Sequence, residues 1–212
     1  IEGQPYLEAL RQLRYELGPQ RVLFIHLTLV PYIAAAKELK TKPTQHSVKE
    51  LRSIGVQPDV IACRADRPVP KEIREKIGTF CSVSAQKVVE VCDVDSIYKI
   101  PLILHEQKLD QIIVEQFNIW TRKPDLGEWN EIVKRLEAPS GVLTIALIGK
   151  YTGVADSYKS VEEALCHAGI ANCVKVNVEL CDAETITSEN VEDRLSSYDG
   201  FVIPGGFGSR GV

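Results

Sequence analysis

The sequence lacks an excess of positive charge. Its 25 lysine and arginine residues are outnumbered by 29 aspartate and glutamate residues, which gives a formal net charge of -4 over 212 residues. Because proteins that bind nucleic acids without specificity need a basic surface, this balance argues against that class. A hydrophobic content of 44% together with 25% charged residues is typical of soluble globular proteins.

Apolar runs long enough to cross a bilayer are missing as well. The longest runs, VLFIHLTLVPYIAAA and VLTIALIG, are interrupted by polar residues and proline or fall short of the roughly 20 residues that a transmembrane helix needs. No positively charged leader precedes an apolar segment. We therefore expect a cytoplasmic protein with neither a membrane nor a nucleic acid as partner.

Three kinds of site motif are absent. The cysteines form no CxxC pair, and several occupy apparent core positions, so buried thiols are favoured over disulfides or a zinc site. There is no G-x-x-x-x-G-K-[ST] phosphate loop, and no serine or cysteine lies in a G-x-[SC]-x-G elbow. No catalytic nucleophile or metal ligand can therefore be assigned. The six cysteines are Cys63, Cys81, Cys92, Cys166, Cys173 and Cys181.

What the first half of the chain does contain is an alternation of helices and buried strands. An amphipathic helix ends at Gly18, and the apolar run at residues 22–30 predicts a strand that is covered on both faces. Helical spacing then alternates with the strand-like segments PDVIAC and KVVEV, and a helical stretch at residues 96–108 is interrupted by Pro101. This order predicts a doubly wound, mainly parallel α/β domain.

A second α/β unit is predicted after a connector. Residues 120–141 hold one charged amphipathic helix between proline-containing turns. The strands LTIALIGK, VKVNVEL and FVIP follow with two intervening helices, too few elements to close a domain. We expect one domain at residues 1–119, a connector at 120–141 and a second, truncated α/β domain at 142–212.

The segment KTKPTQ is the first candidate site. Lys40 and Lys42 stand where a helix is about to begin, so their charge has the wrong sign for the positive end of the helix dipole. Ligands of doubly wound sheets bind beyond the carboxyl ends of strands, where this segment lies. Two ammonium groups, two threonine hydroxyls and free backbone N–H groups suit a polyphosphate. The alternative is a solvated loop in which Thr44 is an ordinary N-cap.

The other candidates are individually weaker. Gly205 and Gly206 follow a strand and could present N–H groups to an oxyanion, or could form a plain glycine turn. His26 lies within an apolar strand and is best explained as a hydrogen-bonded core histidine. An ordinary surface or turn role is the alternative for the remaining positions, which are Glu2, Lys76, Cys92, Asp93 and Val94.

Four long segments, taken together, resemble the CTP synthase family. They are KTKPTQHSVKELRSIGVQPD, DVDSIYKIP, GKYTGVADSYKSV and PGGFGSRG, in this order. The resemblance implies a homotetrameric, glutamine-dependent ligase of pyrimidine biosynthesis. It would phosphorylate the 4-oxygen of UTP with ATP and Mg²⁺ and then let ammonia from a glutamine amidotransferase domain displace the phosphate. GTP would activate the enzyme and CTP would inhibit it.

The same resemblance assigns roles to residues. It implies UTP or CTP binding by Ile1, Glu2, Lys40, Thr41, Lys42, Pro43, Thr44, Gln45 and Lys76. It implies ATP binding by Cys92, Asp93 and Val94, and a glutamine and oxyanion loop at Gly205 and Gly206. Gly3 departs from the serine expected there, which puts only that local contact in question.

The resemblance also implies that catalytic residues and magnesium ligands lie outside these 212 residues, so this piece alone is expected to be inactive. A noncatalytic CTP- or UTP-sensing or filament-forming relative that lacks both catalytic ends is the alternative.

Overall fold

The computed structural model describes residues 3–154 and 156–205. The chain divides into two compact units, and the division falls between Trp129 and Asn130. Helix α6 (Gly127–Glu137) contains this point, and we number it with the other helices in chain order. The predicted limits of the connector, 120 and 141, remain predictions.

The first unit is built on three parallel strands. They are β1 (Ile25–Leu29), β4 (Val60–Ala65) and β5 (Val88–Cys92), in the order β1-β4-β5. A short antiparallel ribbon of β2 (Tyr32–Ile33) and β3 (Glu38–Leu39) follows β1. The helices are α1 (Gln4–Leu17), α2 (Lys42–Ser53), α3 (Lys71–Cys81), α4 (Ile100–Glu106) and α5 (Leu109–Gln116).

The central strand β4 is covered on both faces. Ile61 and Cys63 are buried in one cluster together with residues of α2 and α3. Val60 and Ala62 lie in a second cluster with residues of α4 and α5. Alternate residues of a strand point to opposite faces, so the helices flank the sheet on both sides. The predicted doubly wound, mainly parallel α/β fold is confirmed.

Two local predictions in this unit need correction, and one element had no prediction. The strand expected at residues 22–30 spans only Ile25–Leu29, and the N–H of Phe24 is donated to the Asp59 carboxylate at 2.8 Å rather than to a neighbouring strand. The ribbon of β2 and β3 was not predicted. Pro101 does not interrupt a helix: it lies in the first turn of α4, where the missing N–H of proline costs no hydrogen bond.

The second unit repeats the parallel α/β pattern. Its elements are β6 (Gly141–Gly149), α7 (Lys159–Ala171), β7 (Val174–Asp182), α8 (Val191–Leu195) and β8 (Gly200–Val202), and the strand order is β7-β6-β8. Val174, Val176 and Val178 are half-buried while the residues between them are exposed, as the alternation predicts. Leu180, predicted to share that face, is 43% exposed.

The cysteines of the chain are free thiols. All six cysteines lie within the described ranges, and none forms a disulfide. Cys63 and Cys81 are fully buried, whereas the other four are half-buried. None of the helices within residues 3–154 and 156–205 combines the length and the apolar character that crossing a membrane requires.

Candidate functional site

The KTKPTQ segment lies at the carboxyl end of β1. The N–H of Val30 still bonds to the carbonyl of Arg64 at 2.8 Å, after which the chain leaves the sheet through the ribbon of β2 and β3. The N–H of Lys40 returns to the carbonyl of Pro31 at 2.9 Å, and α2 begins at Lys42. The segment predicted as a loop is thus largely the first turn of a helix.

The two threonines of this segment are buried, and Thr44 holds α2 against β1. Thr44 is fully buried: its hydroxyl accepts a hydrogen bond from Thr28 at 3.1 Å and donates to the carbonyl of Leu29 at 3.3 Å. Thr41, 4% exposed, accepts a hydrogen bond from the side chain of Gln45 at 3.0 Å. The N-cap position belongs to Thr41, so the N-cap role considered for Thr44 is wrong.

A lysine of α3, Lys76, acts on the same carboxylate as Lys40 of the segment. Lys40 forms an ion pair with Glu38 of β3. The pKa of Glu38 is lowered mainly by the hydrogen bond from Lys40, with smaller contributions from the charges of Lys40 and Lys76. Lys76 therefore lies near this pair.

The start of α2 adds exposed groups of the same sign. Lys42 and Pro43 are exposed in its first turn, which contains no acidic residue. The first N–H groups of a helix have no intrahelical partner, and here they lie in the same turn as Lys42 and directly after Lys40. Such a place suits an anionic ligand with several charges.

A second loop leaves the same edge of the sheet after β5. The N–H of Asp93 donates to the carbonyl of Ala65 at 2.9 Å. The Asp93 carboxylate accepts a hydrogen bond from Arg64, also at 2.9 Å. Cys92 and Val94 are half-buried, and burial raises the pKa of the Cys92 thiol. Because the carboxyl ends of parallel strands share one edge, this loop and the lysine segment open on the same edge, with β4 between their strands.

One residue near this second loop escaped prediction. The side-chain amide of Gln107, at the end of α4, accepts the N–H of Glu90 at 2.6 Å and donates to the carbonyl of Glu90 at 2.7 Å. The Glu90 carboxylate in turn accepts the N–H of Val69 at 2.8 Å. Gln107 thus pairs with the edge of β5 as a neighbouring strand would, two residues before Cys92. No local pattern in the sequence signals this pairing.

The glycine loop follows β8 in the second unit. Gly205 is exposed, and a Cβ atom built on it would have no described atom within 4 Å. Gly206 lies outside the described residues, as do Ile1 and Glu2. The site as described therefore does not include these three predicted residues.

His26 forms a hydrogen bond to α2 from within β1. His26 is half-buried in β1, its Nε2 lies 2.9 Å from the hydroxyl of Ser47, and burial lowers its pKa. The hydrogen bond predicted for this residue is therefore present. No cluster of three or more histidine, cysteine, aspartate or glutamate side chains in the described ranges has an arrangement that could hold a metal ion.

Comparison with known proteins identifies the family. The family described as "CTP synthase N-terminus" matches residues 1–119, which is more than half of the chain. The chain belongs to the CTP synthase family. A second family, "Glutamine amidotransferase class-I", matches residues 153–212. Both lysine-bearing elements and the loop after β5 fall within the CTP synthase match, and Gly205 falls within the amidotransferase match.

Curated relatives agree with this family. A CTP synthase of Azospirillum brasilense is 52% identical over 213 residues, and one of Halalkalibacterium halodurans is 48% identical over 212 residues. Each match covers 100% of this chain but only 39% and 40% of the respective relative. The chain thus spans about two fifths of the length of these CTP synthases.

Proposed function

We propose that the complete protein containing this sequence makes CTP from UTP. In the proposed reaction the γ-phosphoryl group of ATP moves to the 4-oxygen of UTP and ADP is released. Ammonia, supplied free or from glutamine, then attacks the 4-carbon and displaces inorganic phosphate. Membership of the CTP synthase family and the amidotransferase match support this proposal.

The observation that carries the proposal is the positive charge at the start of α2, where Lys40 pairs with Glu38, Lys42 opens the helix and the charge of Lys76 also acts on Glu38. A nucleoside triphosphate carries several negative charges, and lysine ammonium groups and helix N–H groups are the usual donors to phosphate. We assign this place to the triphosphate of UTP or of inhibitory CTP. Thr41 and Thr44 act indirectly, because their buried hydroxyls fix the first turn of α2.

ATP is assigned to the loop after β5. Cys92, Asp93 and Val94 would contact its adenine, and the ion pair of Asp93 with Arg64 limits the positions the loop can take. Mg²⁺ would accompany ATP and neutralise part of its phosphate charge, with ligands supplied from outside these 212 residues. Gly205 and Gly206 would bind glutamine and help to form the oxyanion hole.

Assembly, regulation and location form the remainder of the proposal. A homotetramer in which the pyrimidine site lies at a subunit interface, activation by GTP and a cytoplasmic location are properties of the family that we extend to this protein. They rest on the family resemblance alone.

The test uses Lys40→Ala and Lys42→Ala in the complete protein. Each change should weaken UTP and CTP binding by about 1–3 kcal/mol, because a charged hydrogen bond to phosphate is lost. ATP affinity should change much less. The matched control is Lys49→Ala, which removes an exposed lysine from the same helix.

Nucleotide titrations should be read beside the oligomeric state of the same samples, since a site at an interface can fail through dissociation alone. Unchanged UTP and CTP affinity in variants that keep the wild-type oligomeric state would contradict the proposed site.

A further inference from the structure

We propose that Glu38 competes with the nucleotide triphosphate for Lys40, so that this carboxylate sets the affinity of the pyrimidine site. The inference rests on the proposed function, because it takes the anion bound there to be the triphosphate of UTP or CTP. In the structure, Glu38 forms an ion pair with the ammonium group that the triphosphate needs. Binding of the nucleotide then requires this ion pair to open.

The short ribbon places Glu38 and Lys40 on the same side of the chain. Glu38 pairs with Ile33 and Leu39 pairs with Tyr32, so the segment is extended, and residues two apart in an extended chain point the same way. The N–H of Lys40 is fixed by the carbonyl of Pro31 at 2.9 Å. The ribbon therefore presents the carboxylate directly to the first lysine of the site.

An aromatic contact secures the ribbon from outside. The guanidinium of Arg67 lies 3.3 Å from the ring centroid of Tyr32, and the same guanidinium pairs with Asp66 at 2.9 Å. Asp66 and Arg67 directly follow β4, the strand next to β1. The ribbon is thus attached to the carboxyl edge of the sheet, which keeps Glu38 close to the site rather than on a free loop.

The Glu38 carboxylate faces positive charge from two elements. Lys40 donates a hydrogen bond to it, and Lys76 of α3 contributes an attractive charge. These are two of the three cations assigned to the triphosphate. The carboxylate therefore holds Lys40 directly and is attracted by Lys76, as a phosphate group bound to the same lysines would be.

The exposure of the pair makes displacement possible. The side chains of Glu38 and Lys40 are 55% and 41% exposed, and ion pairs of this kind contribute little free energy. A triphosphate offers more charge and more acceptor oxygens than one carboxylate. It therefore displaces Glu38, but at a cost in affinity that UTP and CTP share because they carry the same triphosphate.

The test is Glu38→Gln in the complete protein, measured by titration with UTP and with CTP. Both dissociation constants should fall by about two- to fivefold, the range expected when a weak ion pair is removed. The gain should shrink as ionic strength rises, because salt screens exposed charges. ATP affinity should stay within about twofold of the wild type, since the loop after β5 is not altered.

Glu75→Gln is the matched control. It removes one negative charge from the residue next to Lys76, but the Glu75 carboxylate pairs with Lys71 at 3.6 Å. UTP and CTP affinity should be nearly unchanged in this variant. An equal gain in both variants would overturn the proposal, because net charge rather than the specific pair would then control affinity.

The outcomes separate this inference from the proposed function. Unchanged or weaker UTP and CTP binding in Glu38→Gln, with Lys40→Ala still weakening it, would refute the competition and leave the site in place. If Lys40→Ala has no effect, the site itself is wrong. The competition is supported if UTP and CTP bind more tightly to Glu38→Gln. This gain should be absent from the double variant Glu38→Gln with Lys40→Ala.

Discussion

Replacing Thr44 with valine should loosen the first turn of α2 without changing the volume of the core. The Thr44 hydroxyl is the acceptor for Thr28 at 3.1 Å and the donor to the carbonyl of Leu29 at 3.3 Å. Thr28 is only 8% exposed, so water cannot readily replace the lost partner. A buried donor left without its acceptor costs about 1–3 kcal/mol. Thr44→Val should therefore lower the free energy of local opening by this amount.

Amide hydrogen exchange in the complete protein measures this effect directly. Peptides that cover β1 and α2 should exchange about 5- to 150-fold faster in Thr44→Val, which corresponds to the same 1–3 kcal/mol. Exchange in the second unit should not change. Local exchange is preferable to a melting temperature, because unfolding of a protein with several domains is not two-state.

A double variant decides whether the hydroxyl pair is the cause. Thr28→Val with Thr44→Val replaces both partners by apolar groups of similar shape, which is often nearly neutral. The double variant should therefore exchange more slowly than the sum of the two single effects predicts, with a coupling of about 1 kcal/mol. Thr79→Val, at an exposed helical threonine, is the matched control and should change stability by less than about 0.5 kcal/mol.

Two results would refute this reasoning. Wild-type exchange rates in Thr44→Val would mean that the hydroxyl pair does not hold α2 against β1. Strict additivity in the double variant would mean that each threonine acts through other contacts.

Two further predictions concern the other loops. Gly205→Ala should reduce glutamine-dependent CTP formation by about tenfold or more, because it alters the loop assigned to the oxyanion hole. Ammonia-dependent formation should be largely kept, because the added methyl group meets open space among the described residues and should not disturb folding. Equal losses with the two nitrogen sources would contradict the assignment. Gln107→Leu should raise the KM for ATP but not that for UTP, because Glu90 loses both backbone hydrogen bonds two residues before Cys92. The control is Gln111→Leu on α5, and equal changes in both KM values would indicate a general structural role.

The sheet architecture could be predicted because each main strand carries a strong local signal. The segment PDVIAC overlaps the buried strand β4 (Val60–Ala65), and the alternation of Val174, Val176 and Val178 is that of β7. The ribbon of β2 and β3 could not be predicted in the same way, since strands of two residues have no periodicity. Its position depends on tertiary contacts such as that between Arg67 and Tyr32.

The candidate site likewise has some features that the sequence predicts and others that only the fold determines. Lys40 and Lys42 could be singled out because their charge conflicts with the dipole of the helix that follows. The proximity of Lys76 to Glu38 depends on how α3 and the ribbon are placed, which neither segment encodes by itself. The pairing of Gln107 with Glu90 is likewise a contact across 17 residues between side chain and backbone. Local patterns thus indicate charged segments, whereas the partners of those segments come from the fold.

A structure of the complete protein with CTP bound would show directly whether the lysines at the start of α2 hold the triphosphate. We expect phosphate oxygens within about 3 Å of the ammonium groups of Lys40 and Lys42, with Lys76 beside them. We also expect that Glu38 no longer contacts Lys40. A triphosphate bound away from the start of α2, with the pair of Glu38 and Lys40 intact, would contradict the proposed site.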